Sequence, residues 1–317
     1  MKRRELLQGA AAFGVLAAMP FSAAGKLLAS ARAAAAPAAG TDAPGKHPQA
    51  RPNPLTPPAQ GSIPVAFLVS EGAVVIDFCG PWEVFQDAVV PGRQEAPFRL
   101  YTVAETTRPI HASAGLTIVP DFTLESAPAP KVIVIPAQQG RSEAMLQWIR
   151  RASRSADVTM SVCTGAMLLA KTGLLAGKSA TTHHDAFRTF AMEFPDVHLR
   201  RGARFVEDGN LASAGGLSSG MDLALRVVER YYGRDAAAKT ADYMEYQGQG
   251  WLNPNANAAY AVARVSTGAH PLCPVCTMDV DPKTAPKSVY KGKTYYFCTP
   301  DHKAIFDTAP AKFMDAG

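Results

Sequence analysis

The stretch Val158-Thr-Met-Ser-Val-Cys-Thr-Gly-Ala166 decides how this chain folds. Its first residues are a β-rich run, and Met167-Leu-Leu-Ala-Lys171 behind it is built of helix formers. Cys163 and Thr164 therefore fall in a glycine-containing turn between a strand and a helix. A cysteine in such a turn has an exposed thiol that meets the N–H groups of the first helical turn, which favour the thiolate. Nucleophiles are presented in this way.

Working outward, Val65-Ala-Phe-Leu-Val69, Phe98-Arg-Leu-Tyr-Thr-Val103 and Val132-Ile-Val-Ile135 are further β-branched runs. Val132–Ile135 and Val158–Val162 are apolar at nearly every position, as expected of central parallel strands covered on both faces. Helical stretches fit at Pro81 to Val89, Ser142 to Ser153, Ala166 to Thr172, Ala186 to Glu193 and Ser219 to Tyr232. Strands alternating with helices over residues 62–247 predict one α/β domain, a flavodoxin-like sandwich around a mostly parallel sheet. Its active face lies at the carboxyl ends of the strands.

Asp77 is expected at such an end too. It closes Glu71-Gly-Ala-Val-Val-Ile-Asp77, after which Phe78-Cys-Gly-Pro81 leads into a helix that starts at Pro81. Asp77 either exchanges a proton with a substrate held against the thiol or caps the turn, and Glu83 is a second carboxylate candidate. Thr181-Thr-His-His184 supplies two imidazoles, of which His183 is placed ahead of His184 as a base beside Cys163. The segment Ser213-Ala-Gly-Gly-Leu-Ser-Ser-Gly220 reads first as a tight turn that lets a helix pack closely, and second as an anion cradle. Cys79 reads as a small core residue.

The amino terminus, residues 1–36, has a basic start, a twin arginine at Arg3-Arg4, a moderate apolar stretch and Ala-rich cleavage positions. It reads as a secretory leader of the twin-arginine type, which predicts export to the periplasm and no stable membrane insertion after cleavage. Lys2, Arg3, Arg4, Lys26 and Arg32 against Glu5 give this leader four of the chain's five net positive charges. The mature protein is close to neutral, so no nucleic-acid partner is expected. Residues 37–61, rich in Ala, Pro and Gly, read as a disordered linker, and 248–269 as a second linker.

Residues 270–317 carry Cys273-Pro-Val-Cys276, then Cys298 and His302. Two thiols separated by two residues grip one ion from a tight turn, and a Cys and His one helical turn apart complete a tetrahedral site. So small a module needs such a staple, because its core is too small to hold it folded. Zinc suits the spacing and copper(I) the thiolate character; a Cys273–Cys276 disulfide is the alternative in an oxidising compartment. No cofactor is expected in the α/β domain.

Ile76-Asp-Phe-Cys-Gly-Pro-Trp-Glu-Val-Phe85, Ser161 to Ala170, Gly173 to His183 and Ala212 to Leu225 together resemble the DJ-1/PfpI superfamily, in the branch of isonitrile hydratases and sensor domains of AraC-type regulators. If the hydratases are the guide, the resemblance implies a lyase in which Cys163 is the nucleophile, Thr164 assists turnover and Asp77 works with the thiol. The implied reaction hydrates a small-molecule isocyanide to an N-substituted formamide through a thioimidate. Family members commonly form homodimers through this domain. The chain departs from the family after Pro136, where Ala137-Gln-Gln-Gly140 replaces the usual Gly-Gly turn and re-lines the pocket. The regulator alternative requires a helix-turn-helix module, whereas residues 270–314 resemble the YHS domain of copper- and heavy-metal-handling proteins. The common form of that domain has Cys where His302 stands and Gly where Thr277 stands. A metal-binding or metal-sensing protein without catalysis is therefore the second functional expectation.

Overall fold

A computed structural model describes residues 54–262, 266–268 and 270–313, so the leader and most of the first linker lie outside the described residues. In chain order the elements are β1 (Ile63–Leu68), α1 (Val75–Gln86), β2 (Phe98–Ala104), β3 (Ile110–His111), β4 (Thr117–Ile118), β5 (Phe122–Thr123), β6 (Val132–Ile135), α2 (Glu143–Ala152), β7 (Val158–Val162) and α3 (Gly165–Lys171). There follow β8 (Ser179–Ala180), α4 (Phe187–Glu193), β9 (His198–Leu199), β10 (Phe205–Asp208), β11 (Leu211–Ala214) and α5 (Ser219–Tyr243). The carboxyl-terminal module has β12 (Lys287–Tyr290), β13 (Lys293–Tyr296) and α6 (Pro300–Thr308).

The expected α/β sandwich is present. A seven-stranded sheet runs in the order β10-β11-β7-β6-β1-β2-β5, and only β10 is antiparallel to its neighbour. The continuous apolar runs follow from burial on both faces. Val65, Phe67, Val132, Val134, Val158 and Met160 share one core with side chains of α1 and α5. Ala66, Leu68, Ile133 and Ile135 share the other with α2 and α3. Alternation of period two along each strand sends successive residues to opposite helical layers.

Three expectations about local structure need correction. Asp77 does not close a strand: Val74 donates its N–H to the Ala137 carbonyl (2.8 Å), and helix α1 starts at Val75, placing Asp77 in the first turn and Pro81 inside the helix. The helix expected to end at Tyr232 does break there, at Gly233 (φ 84°), a conformation that favours glycine, but a second helical segment continues to Tyr243. The linkers are partly packed. Leu55 donates its N–H to the Arg230 carbonyl (2.7 Å), and Trp251 is buried, with its N–H bonded to the Asp222 carboxylate (2.8 Å). Among the described residues no helix is long and apolar enough to cross a membrane.

The residues after α5 hold two 3₁₀ turns and then the β12–β13 hairpin with α6; no helix-turn-helix is present among the described residues. The core of the small module is Cys273, Val275, Cys276, Phe297, Phe306 and Phe313, with Tyr290 and Tyr295 packed against it. The aromatic strand run thus meets Phe306 and Phe313, as the sequence predicts.

Candidate active site and metal centre

Strand β7 ends at Val162, paired to Ala214 on one side, and β6 ends one step earlier against Ser161. The chain then turns sharply: Cys163 has φ +58°, in the left-handed region, and its N–H is held by the Gly215 carbonyl (2.9 Å). Gly165, the first residue of α3, is forced by sterics, since a Cβ there would lie 2.1 Å from the Ile135 carbonyl oxygen. A Gly165→Ala variant is expected to lose about 3 kcal/mol or more, the upper range for overpacking, because the clash is with backbone. Urea unfolding monitored by circular dichroism measures it.

Burial and the neighbours of Cys163 overturn one expectation. The residue is only 7% exposed. Burial first, then the charge of Asp77, push its thiol up to about 12, against the N–H groups of Thr164 and Leu217 and the Thr164 hydroxyl, which pull the other way. The resting group is a thiol rather than a thiolate, because desolvation and a carboxylate outweigh the first helical turn. Asp77 is fully buried. Its Oδ2 accepts the Ala137 N–H (3.1 Å), and Oδ1 has no hydrogen-bond partner. Burial raises its pKa to about 7, opposed by the Ala137 N–H and by the Cys163 thiol. Asp77 is not a helix cap, since α1 has no side-chain cap. The structure therefore brings Cys163, Thr164 and Asp77 together as a thiol and a carboxylate that compete for protons.

Glu83 is exposed and stands apart from this pair. Cys79 is half-buried against the core, and burial raises its thiol pKa. His183 is not among the groups that act on the Cys163 sulfur. Its ring lies against Gly216 and beside the His184 ring (4.3 Å between centroids), which in turn stacks on Tyr260 at 4.7 Å. Burial and then His184 hold the His183 imidazole below its ordinary pKa, so it is neutral at pH 7. These rings line a cavity of about 180 Å³ with Thr182, Arg204, Leu217 and Asn257.

Two contacts connect that cavity to the thiol. The Leu217 N–H acts on the Cys163 sulfur, and the Thr182 hydroxyl donates to the Cys163 carbonyl (2.9 Å). The Gly-Gly-Leu segment is thus both a tight turn and a donor. Sequence reasoning missed Leu217 because a backbone N–H has no residue signature; its φ of +45° follows from the turn that aims it. Ala137 is buried and its backbone N–H holds Asp77, while the Gln138 side chain donates to the Leu68 carbonyl (3.0 Å).

In the small module the sulfurs of Cys273, Cys276 and Cys298 and a ring nitrogen of His302 all lie within 4.8 Å of one another. Cys276 and Cys298 Sγ are 3.4 Å apart, and His302 Nδ1 lies 3.1 Å from Cys298 Sγ and 3.7 Å from Cys273 Sγ. Donors around a tetrahedral zinc with Zn–S bonds of about 2.3 Å are spaced about 3.5–3.8 Å apart, so the four residues fit one ion. All five cysteines are free, and no Cys273–Cys276 disulfide is formed. The Cys276 thiol donates to Cys273 and pulls its pKa down, with the N–H groups of Cys298, Cys276 and Val275 helping. Three thiolates and an imidazole suit zinc(II) and copper(I) alike.

Thr277 follows the second thiol with φ +64°, which explains why glycine suits this position. A β-branched residue there costs about 1–2 kcal/mol, so Thr277→Gly is expected to stabilise the module by about 1 kcal/mol after the entropy cost of glycine. Local hydrogen exchange in β12–β13 reads that change.

Comparison with known proteins follows the same division. The DJ-1/PfpI family model matches residues 64–230 and the YHS domain model residues 273–316. An isonitrile hydratase of Pseudomonas putida is 33% identical over 194 residues, 58% of this chain and 79% of that protein. The HTH-type transcriptional regulator GbdR of Pseudomonas aeruginosa is 26% identical over 211 residues, 65% of this chain but only 54% of the regulator. A solved THiJ/PfpI family protein from Pseudomonas syringae superposes with a TM-score of 0.53 at 27% identity, covering 60% of this chain and 77% of that one.

Proposed function

The chain belongs to the DJ-1/PfpI family, and on that premise we propose that its α/β domain is a cysteine-dependent hydratase of small isocyanides, exported with an appended metal-binding module. The observation that carries this reading is the buried pair of Cys163 and Asp77, with Thr164 and Leu217 N–H groups aimed at the sulfur. Asp77, at about 7, is matched to act as a general base near neutral pH. It takes the proton of the Cys163 thiol as the sulfur attacks the terminal isocyanide carbon, and the two N–H groups hold the negative charge while it forms. Return of that proton to the same carbon gives a thioimidate. Asp77 then removes a proton from water and passes it to the thioimidate nitrogen as the hydroxide adds to the carbon, and the C–S bond breaks while the hydroxyl proton moves to the sulfur, releasing the N-substituted formamide and the thiol.

A polar-lined cavity of about 180 Å³ adjoins the Leu217 turn rather than the Cys163 and Asp77 side chains, and a substrate reaching the thiol through it would be small. The test is formation of N-alkylformamide from a small alkyl isocyanide by the mature chain and by Cys163→Ala. Conversion by the wild type that is lost in the variant supports the mechanism; conversion retained by the variant removes it. The twin-arginine motif supports a periplasmic location, and replacing Arg3 and Arg4 by lysine should hold the precursor in the cytoplasm.

A second reading, a metal-handling protein in which the α/β domain is a scaffold, rests on the four-ligand cluster. One zinc or copper per chain without isocyanide turnover would favour it. In the module, Cys273, Cys276, Cys298 and His302 would hold the ion, whose role when bound is to fasten the two halves of a very small core.

A further inference from the structure

We propose that the metal centre is completed across two domains, with Arg188 and Thr189 on α4 of the α/β domain positioning and electrostatically balancing the ligands of the carboxyl-terminal module. The Thr189 hydroxyl donates to the Val275 carbonyl at 3.2 Å. Val275 lies between the two thiols of Cys273-Pro-Val-Cys276 and is itself buried. The loop that presents both sulfurs is thus anchored at its midpoint by a side chain from another domain.

Arg188 acts beside it. Its Nη2 donates to the Phe313 carbonyl and its guanidinium lies over the Phe313 ring, 5.6 Å from the centroid. The charge of Cys273 reaches the guanidinium, and Nε is buried without a hydrogen-bond partner. A cation placed there has a physical purpose. A divalent ion held by three thiolates and a neutral imidazole retains a net negative charge, and copper(I) in the same set retains more. Cys273 is fully buried, so solvent cannot neutralise that charge and a fixed guanidinium does so instead. Partners outside the ligand set orient ligands and tune affinity by about 10–100-fold.

This inference rests on the metal-binding reading of the module, and it adds that α4 belongs to the same site. Phe187, the residue before Arg188, lines the cavity that holds His183, His184 and Leu217.

The experiment is zinc affinity of the reduced full chain, measured by competition with a chromophoric chelator for wild type, Arg188→Gln, Arg188→Lys and Thr189→Val. Weakening by about 10-fold or more in Arg188→Gln, with most of the loss recovered in Arg188→Lys, and a smaller loss in Thr189→Val, is the expected pattern. Melting of the α/β domain in each variant separates this effect from misfolding of α4, because a folding defect would not be rescued by charge alone. Wild type that binds zinc while all variants bind it equally well overturns the two-domain centre and leaves the metal reading standing. Wild type that binds neither zinc nor, by the same competition, copper(I) overturns both.

Discussion

An Asp77→Asn variant is expected to lose isocyanide hydration by about 10²–10⁴-fold, the usual contribution of a positioned acid–base group, while its Cys163 becomes more reactive toward iodoacetamide. The two effects point in opposite directions because Asp77 does two things to the sulfur. It is the group that accepts the thiol proton, and its charge is the second cause, after burial, of the raised thiol pKa. Asparagine keeps the acceptor for the Ala137 N–H but removes the charge and the basicity. Each unit by which the thiol pKa falls multiplies the thiolate fraction about tenfold at a pH below both values. Alkylation that is slowed or unchanged by the substitution would mean that the carboxylate does not act on the sulfur.

The same pair gives a pH signature with a definite sign. Asp77 is raised to about 7 in the folded chain, well above an ordinary aspartate. Between about pH 4 and pH 7 the folded state therefore binds the proton that the unfolded state has released, and stability falls as pH rises through that window. Below pH 4 the cost is absent in both states, and above pH 7 it is complete. Asp77→Asn removes it, so the variant should match wild type near pH 4 and exceed it by a few kcal/mol at pH 8. Activity of the wild type should decline below pH 7, where the base becomes protonated. Urea unfolding at stepped pH, paired with the rate profile, measures both.

The legible part of this chain is the part written in local patterns. Val132–Ile135 announces a central strand because burial on two faces leaves it wholly apolar, and Val158–Val162 does so with only the small Thr159 and Ser161 among its buried apolar residues. The position of Cys163 between β7 and α3 is legible because a strand, a Gly-containing turn and a helix are adjacent in sequence. The local pattern around Asp77 misleads: Val74-Val-Ile is β-branched and Pro81 resembles a helix start, but the Ala137 carbonyl takes the Val74 N–H and the helix begins six residues earlier. The acidity of Cys163 is illegible locally for a similar reason. The helix amides are visible in the sequence, whereas the depth of burial and the carboxylate 86 positions away are properties of the packed molecule. Cys273, Cys276, Cys298 and His302 could be read from spacing alone, since ligands of a tight turn and of one helical turn are close in sequence. Arg188 and Thr189 could not, because nothing local marks the face of a helix on which another domain rests.

Removing the metal is expected to unfold the carboxyl-terminal module while the α/β sheet stays intact. The module's core consists of Cys273, Val275, Cys276, Phe297, Phe306 and Phe313, and two of those residues are ligands. The rest amounts to one valine and three rings, too little apolar burial to offset the chain entropy of about 40 ordered residues. Structural zinc sites in small modules supply about 10–16 kcal/mol, so the ion dominates the balance. The ligands also come from two separate segments, Cys273 and Cys276 from the first turn and Cys298 and His302 from the end of β13 and the start of α6, which leaves the ion as their main crosslink. A strong chelator, or Cys298→Ser in its absence, should therefore raise amide exchange in β12, β13 and α6 by several orders of magnitude and free the backbone at the already exposed Lys287, Lys291 and Lys293 for cleavage by trypsin. Exchange in β6 and β7 should not change, since the two sheet cores contain no module residue. If the module kept its protection after chelation, the four ligands would not be what holds it folded, and the hairpin and aromatic cluster would have to be stable alone. Partial protection confined to residues 273–277 would instead assign the remaining stability to the contacts with α4, where Thr189 holds the ligand loop without the ion.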